Sequence, residues 1–451
     1  MSIQRSNRSH KLSLTKSILN LSLALVAVGA LFWANQLAAQ PSESETEQIL
    51  FLKEEEKLAR DVYTTLGTHW DLKVFQNIAR SEQVHMDQVD SLIAAYGLTD
   101  PAVNEIGRFN NPLLQHLYDR LTSEGSVSLR AALGVGEFIE IIDIKDLEVL
   151  IASTDAPLIL DVAERLLAGS IKHLASFNRQ IDLLPDALPA VDPSTDLVNL
   201  SARGILGDGE EALIGGFVIE GTGTLQVLLA VRGPSLSAYG ISTPAQDPAL
   251  ELFNGDEKLA VNDSWSDAVS ASFVAEAGLS GFAPTEAAVL VDLPPGAYTF
   301  ITENRGAGST GLVEVFGWSD PADDIRLANL SVRGQTGSGE SRLIAGFIVE
   351  GAGPLPIAVR ALGPTLASYG VANVVEQPVL EIYQDAEPIQ EVADWIHANV
   401  LGVVPSTYWP ESILEPLGVV LQDSGAVTVH AIDQTGEGGI VLIDVTLFDS
   451  R

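Results

Sequence analysis

The sequence predicts a multidomain chain: an all-α four-helix bundle followed by two all-β sandwich-like domains. Three observations carry that reading. Through residues 44–184, apolar residues recur at spacings of three and four, the period of helices with a buried face. That period stops at Leu184-Pro185-Asp186-Ala187-Leu188-Pro189, and residues 185–196 read as a Pro-rich, semi-rigid linker. Beyond it, short β-branched runs divided by Gly, Pro, Asn and Asp occur in two copies offset by 130 residues.

Residues 1–39 read as a signal peptide. Arg5, Arg8, Lys11 and Lys16 form a basic start, Ile18 to Trp33 is almost wholly apolar, and Leu37-Ala38-Ala39 supplies small residues. Export to a secreted, periplasmic or cell-surface location is expected, with cleavage after Ala39 or retention as an N-terminal anchor. The whole chain of 451 residues has 25 basic and 60 acidic residues, a net charge of -35. Such a surface excludes nucleic acid as a partner, because phosphates need a basic face. With no cysteine, disulfides, thiolate metal sites and iron–sulfur clusters are excluded.

The first helix is expected over 45–70. Leu52, Ala59, Val62, Tyr63 and Leu66 share a face, and Glu55 and Glu56 both border it, so phase alone does not choose between them. Asp71 is expected to open a second helix that ends near Gly97. Its apolar stripe of Ile78, Ala79, Val89, Leu92, Ile93 and Tyr96 has Glu82 and His85 in its middle. A connection with a short helical piece, 112–123, leads to a third long helix over 126–153. Glu140 is central on that helix's apolar face, with Glu137 and Asp143 about 60° to either side. The fourth helix starts at Pro157, a favourable first position, and carries Ser170 and His173 in its inner stripe. His69 and His116 fall outside the stripes and read as surface residues.

A carboxylate and an imidazole in the middle of a buried face each need a partner, and a metal ion is one. In bundle proteins with two carboxylate-bridged metals, inward ligands come from Glu-x-x-His pairs and single glutamates. Here all four helices carry inward polar residues at comparable depth. Oxygen and nitrogen donors without sulfur suit iron or manganese, and zinc also binds such a set.

The arrangement resembles the ferritin-like superfamily, in the style of rubrerythrin, and more specifically the ferritin-like family called domain of unknown function 2202. The residues that carry the resemblance are Glu56-x-x-Ala59-x-x-x-Tyr63, Glu82-x-x-His85, Gly136-Glu137-x-x-Glu140 and Ser170-x-x-His173-x-x-x-Phe177. It favours Glu56 over Glu55 and implies metal ligation by Glu56, Glu82, His85, Glu137, Glu140 and His173. It further implies two ions per chain, iron first and manganese or zinc as alternatives. With iron it implies oxidation of ferrous iron or reduction of peroxide, with peroxide or dioxygen as partner and Tyr63 as a neighbour. One departure stands out: rubrerythrin-like proteins carry a second Glu-x-x-His on the fourth helix, where this chain has Ser170. Asp143 either orients one of the histidines or is a solvated edge residue.

The β copies are expected as domains over 197–320 and 327–451. Asn199-Leu200-Ser201-Ala202-Arg203-Gly204 matches Asn329-Leu330-Ser331-Val332-Arg333-Gly334, and Gly233-Pro234-Ser235-Leu236 matches Gly363-Pro364-Thr365-Leu366. They resemble tandem β modules of large secreted bacterial proteins, with the signature Arg360-Ala361-Leu362-Gly363-Pro364-Thr365-Leu366; the first copy departs at Ala230-Val231-Arg232. Gly-Pro is expected to set a turn. Neither copy has a nucleophile–base pairing, so a spacer with a cell-surface or glycan partner is expected. The leading functional expectation is an exported di-metal protein. The alternative is a non-enzymatic surface scaffold whose helical domain binds no catalytic metal.

Overall fold

The computed structural model describes residues 40–189, 191, 194–207, 209–267, 281–318, 324–397 and 399–448; the expected signal peptide, 1–39, lies outside the described residues. The described residues form two compact units, one from residues 40–122 and 136–178, the other from residues 123–135 and those from 179 onward.

The helical region contains α1 (Glu43–Trp70), α2 (Lys73–Tyr96), α3 (Pro112–Gly125), α4 (Leu129–Ser153) and α5 (Pro157–Ile181). A capping box starts α1: Glu45 N donates to Ser42 Oγ at 3.2 Å, and Ser42 N donates to Glu45 Oε2 at 2.7 Å. Asp71 closes α1 instead of opening α2. It adopts the left-handed conformation (φ 49°), which Asp tolerates, and its N–H bonds to Gly67 O. Leu72 therefore caps α2 without a side-chain bond, and Gly97 (φ 68°) ends that helix.

The four long helices share one apolar core, to which α1 gives Ile49 and Leu52, α2 gives Val89 and Leu92, α4 gives Leu147 and Leu150, and α5 gives Val162 and Leu166. Each such side chain, fully buried, stabilises by about 1.5–3 kcal/mol. The 98–111 connection is fastened by charges buried on α1. Lys57 Nζ bonds Asp61 Oδ2 at 2.5 Å, donates to Glu105 O and Arg108 O at 3.0 Å, and lies 4.1 Å from the Phe109 ring centroid. Asp61 also accepts from Gly107 N, and Glu54 accepts from Asn110 N, both at 2.9 Å. These contacts satisfy the backbone of a segment with no regular structure of its own.

The β region has sixteen strands in the described residues, all paired antiparallel. The first repeat supplies β1 (Asp196–Ile205), β2 (Ile214–Gly221), β3 (Leu225–Arg232), β4 (Pro248–Asn254), β5 (Glu257–Asn262), β6 (Ala287–Leu293), β7 (Gly296–Asn304) and β8 (Thr310–Trp318). The second supplies β9 (Ile325–Thr336), β10 (Leu343–Glu350), β11 (Leu355–Leu362), β12 (Pro378–Gln384), β13 (Glu387–Val392), β14 (Leu417–Gln422), β15 (Gly425–Asp433) and β16 (Gly439–Leu447).

The repeats, expected as separate domains, exchange their first strands. One edge of β1 pairs β8 of its own repeat and the other pairs β10 of the second (Ala202 opposite Ala345). Likewise β9 pairs its own β16 and the first repeat's β2 (Val332 opposite Gly215). Two runs result, β6-β3-β8-β1-β10-β15-β12-β13 and β5-β4-β7-β2-β9-β16-β11-β14, joined at Leu197 opposite Leu327. One apolar core draws on both repeats, including Leu200, Phe217, Leu330 and Phe347. The physical reason is the likeness of the copies: either sheet presents a similar edge to either first strand.

The Gly-Pro signature is held by a buried carboxylate in each copy. Glu286 Oε1 accepts from Gly233 N (2.8 Å), Ser235 N (2.9 Å) and Ser235 Oγ (2.6 Å), and its Oε2 accepts from Ala283 N (2.7 Å). Glu415 does the same for Gly363 N, Thr365 N and Thr365 Oγ1, at 2.8, 2.7 and 2.5 Å. The first copy's departure is compensated on the same strand face. Arg232 pairs with Glu314 at 2.6 Å, and Arg360, two positions earlier in the repeat, pairs with Asp444 at 2.7 Å.

Candidate metal centre

Glu82 is the hub of the helical unit. It and His85 lie one turn apart on α2, so both leave the same face. Glu82 Oε2 is 2.7 Å from His85 Nδ1, and Glu82 Oε1 is 2.7 Å from Nδ1 of His173 on α5. Each imidazole also faces a second carboxylate. His85 Nδ1 is 3.2 Å from Glu56 Oε2 on α1, and His173 Nδ1 is 3.5 Å from Glu140 Oε2 on α4. The order is carboxylate, imidazole, Glu82, imidazole, carboxylate, with the two rings stacked at 5.3 Å between centroids. All five side chains are buried.

Outer contacts set the ring orientations. His173 Nε2 lies 2.9 Å from Ser81 Oγ, which leaves Nδ1 for the carboxylates. His85 Nε2 faces Gly169, where a Cβ would collide with the ring, so glycine is required for this approach. Gly136 similarly admits the Phe177 ring. Tyr63 Oη donates to Glu140 Oε1 at 2.7 Å.

Burial works against every charge here, and the neighbours decide the outcome. For Glu82, the two imidazoles outweigh burial and hold the pKa at about 2. Burial lowers both histidines, but Glu56 and Glu82 raise His85 to about 11, and Glu140 and Glu82 raise His173 to about 9. Burial first, then the charge of Glu82, lifts Glu140 to about 8. Burial also lifts Asp143 to about 7, and lifts Glu56 well above the carboxylate range with Asp143 adding to it. The directions of these shifts favour protons within the cluster when no cation is bound.

The donor set fits a divalent cation. Glu82, His85 and His173 each place one ligand atom within 4.8 Å of the others. Glu56 Oε1, Glu82 Oε1, Asp143 Oδ1 and His173 Nδ1 are buried without a hydrogen-bond partner. The 2.7 Å approach of Glu82 Oε1 to His173 Nδ1 is thus close but not aligned as a hydrogen bond. Buried polar atoms without partners are costly, and a cation would satisfy several together.

Five of the six expected ligands are linked by these contacts, and Glu137 is fully buried one turn before Glu140. Glu56, not Glu55, meets His85. His69 and His116 are exposed, as expected. Asp143 is buried, not a solvated edge residue, and accepts from Ser170 Oγ at 2.5 Å. A carboxylate from α4 thus stands against the α5 position where the rubrerythrin pattern has glutamate. The buried Lys53, Lys57 and Asp61 were not foreseen, because their helical phase looks like that of solvated residues.

Residues 45–195 match the family described as an uncharacterized protein domain, DUF2202. Uncharacterized protein MJ0754 of Methanocaldococcus jannaschii is 46% identical over 152 residues, which are 33% of this chain and 82% of that protein. The crystal structure of hypothetical protein MJ0754 from Methanococcus jannaschii is 47% identical and covers 32% of this chain and 83% of that one, with a TM-score of 0.31. The tandem CBM51 modules of Sp3GH98, the family 98 glycoside hydrolase from Streptococcus pneumoniae, are 7% identical, covering 55% of this chain and 80% of that one. Their TM-score is 0.15. With its 46% identity to a relative of which it covers 82%, this chain belongs to the DUF2202 family.

Proposed function

We propose that the helical unit is a ferritin-like four-helix domain whose centre holds two metal ions, iron in the leading case, for oxidation of ferrous iron or reduction of peroxide. The observation that carries this reading is the symmetric approach of His85 and His173 to the two oxygens of Glu82, flanked by Glu56 and Glu140. Glu56, Glu82, His85, Glu137, Glu140 and His173 are the ligands in this reading. Asp143, held by Ser170, takes the place of the fourth-helix glutamate. Iron would supply one-electron redox chemistry toward peroxide or dioxygen, whereas zinc in the same donors would supply none. Glu82 spans the centre with one oxygen toward each imidazole. Tyr63 orients Glu140 and keeps a proton beside it. Burial of the ligands keeps bulk water out and strengthens each charge interaction. The setting in this reading is outside the cytoplasm, from the pattern of residues 1–39, with the β unit as a scaffold for a cell-surface or glycan partner.

One observation favours a second reading. His85 and His173 each lie 2.7 Å from a Glu82 oxygen, and as imidazolium ions they would balance its charge, so the helices can close around the cluster without metal. The protein would then be an exported, non-enzymatic scaffold. Elemental analysis after anaerobic loading with ferrous iron separates the two. Two irons retained per chain, with peroxide-dependent oxidation of that iron, is the outcome expected of the first; no retained metal would leave only the second.

A further inference from the structure

Beside the centre, on the other flank of α1, lies a cavity of about 580 Å³. Its wall includes Glu47, Glu54, Glu55 and Asp146 and no lysine or arginine, with Val149 at an exposed position. Six water molecules occupy about 180 Å³ as liquid, so a hydrated ion fits with room to spare. Glu55 is 6% exposed, and its Oε2 is shielded from solvent without a hydrogen-bond partner. Asp146 of α4 lines the same cavity. A buried carboxylate oxygen with no donor is costly to leave bare, and a cation would satisfy it. Successive helical residues point about 100° apart, so Glu55 serves this cavity while Glu56 meets His85.

We infer that this cavity is the cation entrance to the centre, with Glu55 and Asp146 as a transfer site that takes a divalent ion from solvent and passes it to Glu56 and Asp143. The inference rests on the di-metal reading above. Glu55 is the link: it lines the cavity with Asp146, and Glu56 and Asp143 lie on the same two helices, the next residue of α1 and one turn back on α4. The wall is partly apolar, but its four acidic side chains attract cations to the mouth, and each carboxylate along the route replaces part of the ion's hydration. The ligand class is a small divalent metal ion.

The test is stopped-flow loading of the metal-free full-length protein with cobalt(II) alone, read by its visible absorption, with final stoichiometry read by elemental analysis. Glu55→Gln keeps the shape and removes the charge, and Val149→Trp narrows the mouth without touching a carboxylate. Circular dichroism confirms matched helix content. Both variants are expected to load at least tenfold more slowly and reach the same final stoichiometry. Loading of both at the parent rate overturns the entrance alone, as does a Glu55→Gln protein that never reaches the parent stoichiometry, since Glu55 would then be a resident ligand. A parent protein that takes up no cobalt overturns the centre and its entrance together.

Discussion

The helical and β units both bury carboxylates, and they treat them in opposite ways. Glu286 and Glu415 are enclosed by N–H and O–H donors from the turns they hold. Glu55, Glu56, Glu140 and Asp143 are as deeply buried, yet other acids are prominent among their neighbours. A carboxylate ringed by donors is a structural pin. A carboxylate ringed by carboxylates requires protons or cations. Burial alone does not mark a site; the crowding of acids against one another does.

The sharpest way to break this comparison is Glu82→Ala. It removes the one group both imidazoles share. At least a hundredfold loss of metal affinity is expected in calorimetric titration. The metal-free protein should lose about 3–5 kcal/mol, because two buried cations lose their partner. Unchanged metal binding would remove Glu82 from the centre. Glu286→Ala is the matching change in the β unit. It should cost about 3 kcal/mol in urea unfolding, from buried donors left unmet, and leave metal content untouched. If it depleted metal, the division between pin and site would be wrong.

The pH dependence has a definite sign. His85 and His173, raised to about 11 and about 9, contribute stability that is present below their unfolded value of about 6.5 and is lost as pH rises through those folded values. Glu140 and Asp143, raised to about 8 and about 7, keep protons that the unfolded chain sheds near pH 4. The folded state therefore binds more protons from about pH 4 upward. Glu82, held at about 2, acts oppositely only below about pH 4.5. The metal-free protein should melt at progressively lower temperature from pH 5 to pH 9. Loading with a divalent ion should flatten that slope, since the ion displaces the same protons. A melting temperature that rises with pH in the metal-free protein would contradict the proton-filled cluster. The smallest effect is expected from Gly169→Ala. Its Cβ would press on His85, costing about 1–2 kcal/mol by overpacking, read as a lower thermal midpoint and weaker metal affinity.

Much of the helical unit was legible in the sequence, because a period of 3.6 residues records which side of each rod is covered. The same phase that exposed Glu82, His85, Glu140 and His173 did not separate Glu55 from Glu56. Both border the stripe, and only the placement of α2 decides which one meets His85. Ser170 was visible as a departure, whereas the answering carboxylate of Asp143 depends on how α4 and α5 approach. The charges of Lys57 and Asp61 could not be told from solvated ones, since their partners lie on the irregular 98–111 connection. Among the strands, the repeat and its period were plain. Which copy a first strand pairs with was not, because Leu200 and Leu330 would suit either sheet.

That exchange has a consequence for how the chain is made. The free edge of β1 waits for β10, about 140 residues later, and β9 completes its own neighbours only when β16 arrives near the C-terminus. Neither copy can finish alone, so a chain severed between them should yield fragments with naked strand borders that clump unless they meet. Folding in this half should be slow, governed by the last strand to emerge.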